Sequence, residues 1–424
     1  MAQTLAATAT LAVDFGTSNS AAAIWRGGQV EIIPVEASAS TLPTAVFFPH
    51  GGGPVRIGEA ATQALIAGEE GRYMRALKSV LGSPLLHEKR LISGRYRTLA
   101  NVITDFLITL KGRAEQASGL TFSSVVSGRP VHFYSGQEER DRAAQNDLRD
   151  CYQAAGFKSV RFLAEPEAAA LAAPIDDGLG LIVDIGGGTS DFCVFERKET
   201  AVEIVASHGI RLGGTDFDAS ISMASAMLVL GLGSQLRRTM AKGLLPVPAH
   251  PFMELATWSR IPFLYNTDTK TQIRALREEA VQPGLFDRFL TVLNEELGHD
   301  LAFEVERGKI SLNASAADEV LDLSFIERGL SAPLTQAASK RALHGAGQSL
   351  REALLKTVAV ANKAPQDIKT IVLVGGSSLM QFVVAEAQAS LPHAAIVRSE
   401  AFTAVVEGLG LASRDIASKD GIAA

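Results

Sequence analysis

The segment LIVDIGGGTSDFCV at 181–194 repeats the pattern of VDFGTSNSAAAIW at 13–25: an apolar run, an aspartate, a glycine turn with a hydroxyl residue, and a second apolar run. Asp14 and Asp184 lie 170 residues apart. Stacked repeats recur every roughly 20–50 residues, so this spacing predicts two related halves facing each other, not an array. In the first copy Thr10–Asp14 and Ala21–Trp25 read as strands, and Gly27-Gly28 is a hairpin-turn signal before a third β-rich run, Val30–Pro34. The chain therefore opens as a β-meander and not as a strand followed by a phosphate-binding helix.

Further along, strand-like and helix-like stretches alternate, which argues an α/β fold. Leu148, Cys151, Tyr152 and Ala155 share one face of a predicted helix over Glu138–Ala155, and Gly156 ends it. Lys158–Leu163 reads as a strand. Pro166 is expected to hold Glu165 extended just before an alanine-rich helix, Glu167–Ala173. Residues 240–270, with Pro246, Pro248, Pro251 and Pro262 among aromatic residues, read as an extended insertion. Thr403–Ala412 reads as a helix. A length of 424 residues allows two to four domains, and 47% hydrophobic against 20% charged residues allows large cores. The expected division is a first lobe over 1–177, completed by a return helix over 399–424, and a second lobe over 178–398.

Several classes of function are disfavoured. The 40 basic residues are outnumbered by 46 acidic ones, giving a net charge of −6, which argues against nucleic acid as a partner. No Lys or Arg precedes Arg26, as the basic start of a signal peptide would require. The longest uncharged apolar run, Ile221–Leu232, is too short for a membrane span. A soluble cytoplasmic protein is expected. Cys151 and Cys193 cannot make a disulfide framework, and Cys193 alternates in a strand as a core residue. The eight histidines are scattered, and no CxxC or HExxH spacing offers a zinc site. The P-loop, dinucleotide and nucleophile-elbow fingerprints are absent.

The glycine hairpins carry the chemistry. A strand–Gly–strand turn gathers backbone N–H groups into a concavity that binds anions, and Thr17, Ser18 and Thr189 add hydroxyls. Asp14 and Asp184 would repel a bare phosphate, so they imply a cation between. Magnesium, which keeps most of its waters, suits that place. A single Asp-x-Gly is an ordinary turn. Two parallel copies, joined by the turns Gly213-Gly214-Thr215-Asp216 and Gly375-Gly376-Ser377-Ser378, point instead to a polyphosphate held from both sides.

With these residues in hand, the sequence resembles the nucleotide-binding part of the 70-kDa heat-shock (DnaK-type) chaperone family, within the actin–hexokinase superfamily, with most likeness to its short bacterial YegD-type members. The likeness runs in family order through VDFGTSNS at 13–20, LKSVLG at 77–82, FLAEPEAAAL at 162–171, VDIGGGTSDF at 183–192, RLGGTDFD at 211–218 and VLVGGSS at 372–378. It implies a two-lobed actin-like ATPase fold of duplicated ribonuclease H-like domains, with a central cleft for ATP or ADP and magnesium. By the resemblance Asp14 and Asp184 position hydrated magnesium, with Asp191 nearby. Gly16, Thr17, Ser18, Gly186, Gly187, Gly188 and Thr189 hold phosphates. Lys78 matches the catalytic lysine, and Glu165 matches an acid that orients the attacking water. Gly213, Gly214, Gly375, Gly376 and Ser377 match further nucleotide-binding turns, and Glu306 and Lys309 match a nucleoside-binding helix.

Two departures matter. Ile310 and Leu379 stand where the family places two arginines against adenine, which would forfeit cation–π attraction of about 0.5–2 kcal/mol per face. Weaker ATP binding than in the family at large is expected. Only SRDIASKDGIAA follows the last helical match, so neither a peptide-binding domain nor a lid is expected. The implied function is slow MgATP hydrolysis acting as a switch read by a partner protein or co-chaperone. The alternatives are a non-hydrolysing nucleotide-dependent scaffold, a small-molecule kinase of the same superfamily, which Lys78 argues against, and an actin-like polymer.

Overall fold

Strands covered on both faces need apolar residues at nearly every position. Leu11 to Val13 and Ala21 to Ile24 meet that requirement, each at most 1% exposed. The structure, a computed structural model, describes residues 8–419 other than 37–38, 135, 174, 200, 239–241, 316 and 400–402. Part of the expected return helix, at 400–402 and 420–424, therefore lies outside the described residues. The chain divides into two compact units, one of residues 1–214 with 348–424 and one of residues 215–347.

The two largest sheets of the first unit, of six and five strands, carry its core. Strands β1 (Thr8–Phe15), β2 (Asn19–Arg26), β3 (Gln29–Ile33), β4 (Thr121–Arg129) and β5 (Ser159–Ala164) run in the order β5-β4-β1-β2-β3, with a short strand Thr41–Pro43 added on β2. Strands β6 (Gly178–Ile185), β7 (Ser190–Lys198), β8 (Ala201–Ile210), β9 (Thr370–Val374) and β10 (Ala395–Arg398) run in the order β8-β7-β6-β9-β10. Both sheets are an antiparallel three-strand meander with two parallel strands added beside its first strand. The repeated sequence pattern is thus matched by repeated topology.

Small side chains bring helices close to both sheets. Ala168, Ala169 and Ala170, from the helix Glu165–Ala172, share one core with Ala12 and Ala23 of the first sheet and Ile182, Cys193 and Val372 of the second. The helix Ala404–Lys419 adds Val405, Val406 and Leu409 to that core. Its Gly408 meets the carbonyl of Ala168 so closely that no side chain fits there. Alanine and glycine here are packing residues.

The second unit is mainly helical. Helices His250–Ala256, Thr267–Glu279, Pro283–Asn294 and Gly298–Ala314 accompany two-stranded ribbons, Gln235–Arg237 with Leu244–Pro246 and Glu319–Asp322 with Ser331–Leu334. Fully buried Phe252, Trp258, Phe286 and Phe289 form its interior. The expectation of an extended insertion over 240–270 is therefore corrected. Pro251 and Pro262 begin helical turns, where the missing N–H has no partner to lose.

Candidate functional site

Asp14 and Asp184 end equivalent strands, and their cross-strand partners differ. Asp14 lies opposite Ala21, whereas Asp184 lies opposite Asp191. The two hairpin turns approach each other within the first unit. A side-chain carbon on Gly187 would lie 2.7 Å from the Ser18 hydroxyl and 2.9 Å from Cβ of Thr17, so the tip of the second turn must be bare. The other two turns join them. Gly214 N–H donates to the Gly186 carbonyl at 2.9 Å, and the Ser190 hydroxyl donates to the Leu212 carbonyl at 2.6 Å. Val374 pairs with Asp184, so Gly375, Gly376 and Ser377 leave the sheet beside that carboxylate. From there a short turn, Gly376–Leu379, leads to the helix Gln381–Ser390.

Lys78 sits in the short 3-10 turn Leu77–Val80, only 7% exposed. A lysine is rarely buried without a partner. Its partner is Glu165, 8% exposed, with Nζ donating to Oε1 at 2.5 Å. Glu165 is the first residue of the helix Glu165–Ala172, not an extended residue before it, which corrects the expectation from Pro166. Proline fits at the second helical position because the first-turn N–H groups have no intrahelical acceptors. The helix dipole at that end favours the Glu165 carboxylate.

Burial pushes the Asp14 carboxyl up to about 7, with Glu165 adding to the shift and Lys78 opposing it. Asp191 is pushed up to about 7 by burial and then by Glu165, against the Val131 N–H, the Thr189 hydroxyl and Lys78. The Val131 N–H donates to Asp191 Oδ1 at 2.7 Å. Asp184 is held well above the ordinary carboxylate range, by burial first and by Glu165, Asp191 and Asp14 after it. Burial works to lower Lys78, but Glu165 and Asp14 outweigh it and hold the ammonium above its ordinary range.

One ammonium thus sits with Glu165 among three buried aspartates whose ionisation burial disfavours. Such a set fits an added cation, and its donors are all oxygen, which suits magnesium. Among the described residues no three His, Cys, Asp or Glu side chains form a direct ligand set.

Three of the residues expected at the nucleoside belong to the second unit. Glu306, Lys309 and Ile310 belong to the helix Gly298–Ala314 in the second unit. There Lys309 Nζ lies 2.6 Å from Asp218 Oδ1, and Trp258 Nε1–H donates to Asp218 Oδ2 at 3.1 Å. Ile310 is 60% exposed. Sequence reasoning missed Asp218. Its signal is an acid in the quoted RLGGTDFD motif, one residue after Phe217 and three before Ile221, both fully buried.

Cys151 and Cys193 are buried free thiols, and burial pushes both up to about 12. Among the described residues no helix is long and apolar enough to cross a membrane.

A protein-family model described as Hsp70 protein matches residues 10–226, just over half of the chain. The match spans Asp14, Lys78, Glu165, Asp184, Asp191 and the Gly213-Gly214 turn, and stops before Glu306 and Gly375.

Proposed function

Since the chain belongs to the Hsp70 protein family, whose members are nucleotide-binding chaperone-type ATPases with a two-lobed actin-like α/β fold, we propose that it binds MgATP at the paired hairpins and hydrolyses it slowly. The buried Lys78–Glu165 pair among Asp14, Asp184 and Asp191 is the observation that carries this reading. Phosphoryl transfer asks a protein mainly for charge neutralisation and an aligned nucleophile. Thr17, Ser18 and the backbone of Gly186 to Thr189 would hold the phosphate oxygens. The Lys78 ammonium would neutralise charge on the transferred group, and Glu165 would orient the attacking water and accept its proton. Asp14 and Asp184, with Asp191 beside them, would hold magnesium mainly through water, and the ion would supply charge to offset that of the phosphates. The bond from the terminal phosphorus to ADP breaks as the bond to the water oxygen forms.

Slow turnover would make the nucleotide state long-lived enough for a partner protein to read. A second reading, a scaffold that binds nucleotide and barely hydrolyses it, is favoured by the aliphatic residues Ile310 and Leu379, which weaken the hold on adenine.

Calorimetry with ATP tests the binding step. Affinity at the micromolar level with magnesium, weakened at least ~10-fold by chelation, is expected. Nanomolar ATP affinity would contradict the expected weak adenine contact, and binding unaffected by chelation would remove magnesium from the account.

A further inference from the structure

The Lys78 turn is gripped from outside by side chains that also touch one another. The carbonyls of Ser79, Leu81 and Gly82 accept hydrogen bonds from Arg211 Nη2 at 3.0 Å, Tyr134 Oη at 2.8 Å and Arg140 Nε at 3.1 Å. The Arg211 and Arg140 guanidiniums lie over the Tyr134 ring, 4.5 Å and 3.9 Å from its centroid. Tyr134 is 4% exposed, so the ring is a fixed platform. Planar guanidiniums suit this arrangement because one face stacks while the edge donates. A buried ring and two cations thus hold the three carbonyls that follow Lys78.

Of the three side chains only Arg211 comes from the second sheet's side of the site. It follows Ile210, which pairs with Ser190, and precedes Leu212, whose carbonyl accepts from the Ser190 hydroxyl. Two residues on, Gly214 N–H is bound to the Gly186 carbonyl. The backbone of Arg211 is therefore anchored to the Gly186–Thr189 turn, while its side chain reaches the turn that bears Lys78. Arg211 and Tyr134 also line a small cavity with Thr17, Lys78, Gly188 and Thr189.

We propose that Arg211 is a positioning residue that transmits the state of the Gly186–Thr189 turn to Lys78. The proposal rests on the nucleotide-binding reading above. Phosphate bound at the turn fixes the β8 exit, Arg211 fixes the Ser79 carbonyl, and Lys78 is thereby aimed at Glu165 and the reacting phosphate. Without Arg211 the turn still binds nucleotide, and the Lys78 segment keeps Tyr134, Arg140, Asp147 and Glu165 but loses the side chain that ties it to the β8 exit.

Hydrogen exchange of the full chain, with and without MgADP, tests the link for wild type, R211A and R211K. In wild type both 76–82 and 186–190 gain protection on nucleotide addition. In R211A the second segment gains it as before, and the gain at 76–82 shrinks at least about fivefold. Steady-state hydrolysis falls about tenfold in kcat with KM within about twofold, and R211K recovers part of the loss because it keeps a donor without the flat stack. Arg211 is exposed, so R211A is expected to fold; R211K gives the same comparison if it does not. Equal protection at 76–82 in wild type and R211A, or a raised KM with unchanged kcat, overturns the proposal. Wild type that gains protection at neither segment overturns the nucleotide-binding reading itself, a result distinct from the loss of coupling alone.

Discussion

The two Asp hairpins of the first unit occupy equivalent places in sheets of the same topology, yet they are built differently. The β1–β2 turn keeps side chains at its tip, Thr17 and Ser18, and its Asp14 faces the inert methyl of Ala21. The β6–β7 turn is bare at its tip, and its Asp184 faces a second acid, Asp191. One hairpin presses hydroxyls forward, while the other leaves room for them and for the turns at Gly213 and Gly375. Like charges directly opposite on a sheet are destabilising. The second hairpin bears that cost, with the Val131 N–H steadying Asp191. Equivalent hairpins of one duplicated topology thus differ, one carrying Thr17 and Ser18 at its tip and the other a pair of opposed acids.

Substitutions can break or sharpen this contrast. Asp14→Asn and Asp184→Asn should each lower magnesium-dependent phosphate release by ~100-fold or more, because each removes one of the two proposed cation-positioning acids. Asp191→Asn keeps an acceptor for the Val131 N–H and should cost only about tenfold. Equal losses in a phosphate-release assay would make the second hairpin's extra acid a full partner. Gly187→Ala comes next, since its methyl would overlap Ser18, and ATP affinity by calorimetry should fall about tenfold with the fold intact by circular dichroism. Unchanged affinity would show that the two tips do not need to meet.

Ile310→Arg or Leu379→Arg should tighten ATP binding by a factor of about 2–30, the range of one cation–π contact. A further prediction concerns the two buried thiols rather than nucleotide. Cys151 and Cys193 should resist alkylation at pH 8 in the folded protein by at least ~100-fold relative to the unfolded chain. The ordinary thiol ionises near 9, whereas burial holds these two up to about 12. The folded state therefore keeps protons that the unfolded state releases between those values, and stability from this source falls as pH rises through that window. Melting curves of Cys193→Ala against wild type should show a shallower loss between pH 9 and pH 11.

Much of this was legible because it was local. Apolar runs flanking Asp14 and Asp184, and glycines at the turns, specified the strands and hairpins without reference to anything distant. Prolines were harder to read. Pro166, Pro251 and Pro262 stand in first turns, where they start helices, yet a sequence presents the same residue as a breaker. Pairings between distant positions left no local trace. The Lys78–Glu165 bond spans 87 positions, and nothing in either segment names the other. Lys309 matches a nucleoside contact by family resemblance, and its ion pair with Asp218, 91 positions away, is equally silent in the local sequence.

The central claim is that Lys78, held by Glu165 among the acids of the two hairpins, serves the chemical step and not the binding of nucleotide. Single-turnover phosphate release from a preformed MgATP complex, measured for wild type and Lys78→Ala, tests it most directly. The account predicts a rate at least ~100-fold lower in Lys78→Ala with ATP affinity changed by no more than about threefold. Equal rates in the two proteins would contradict it.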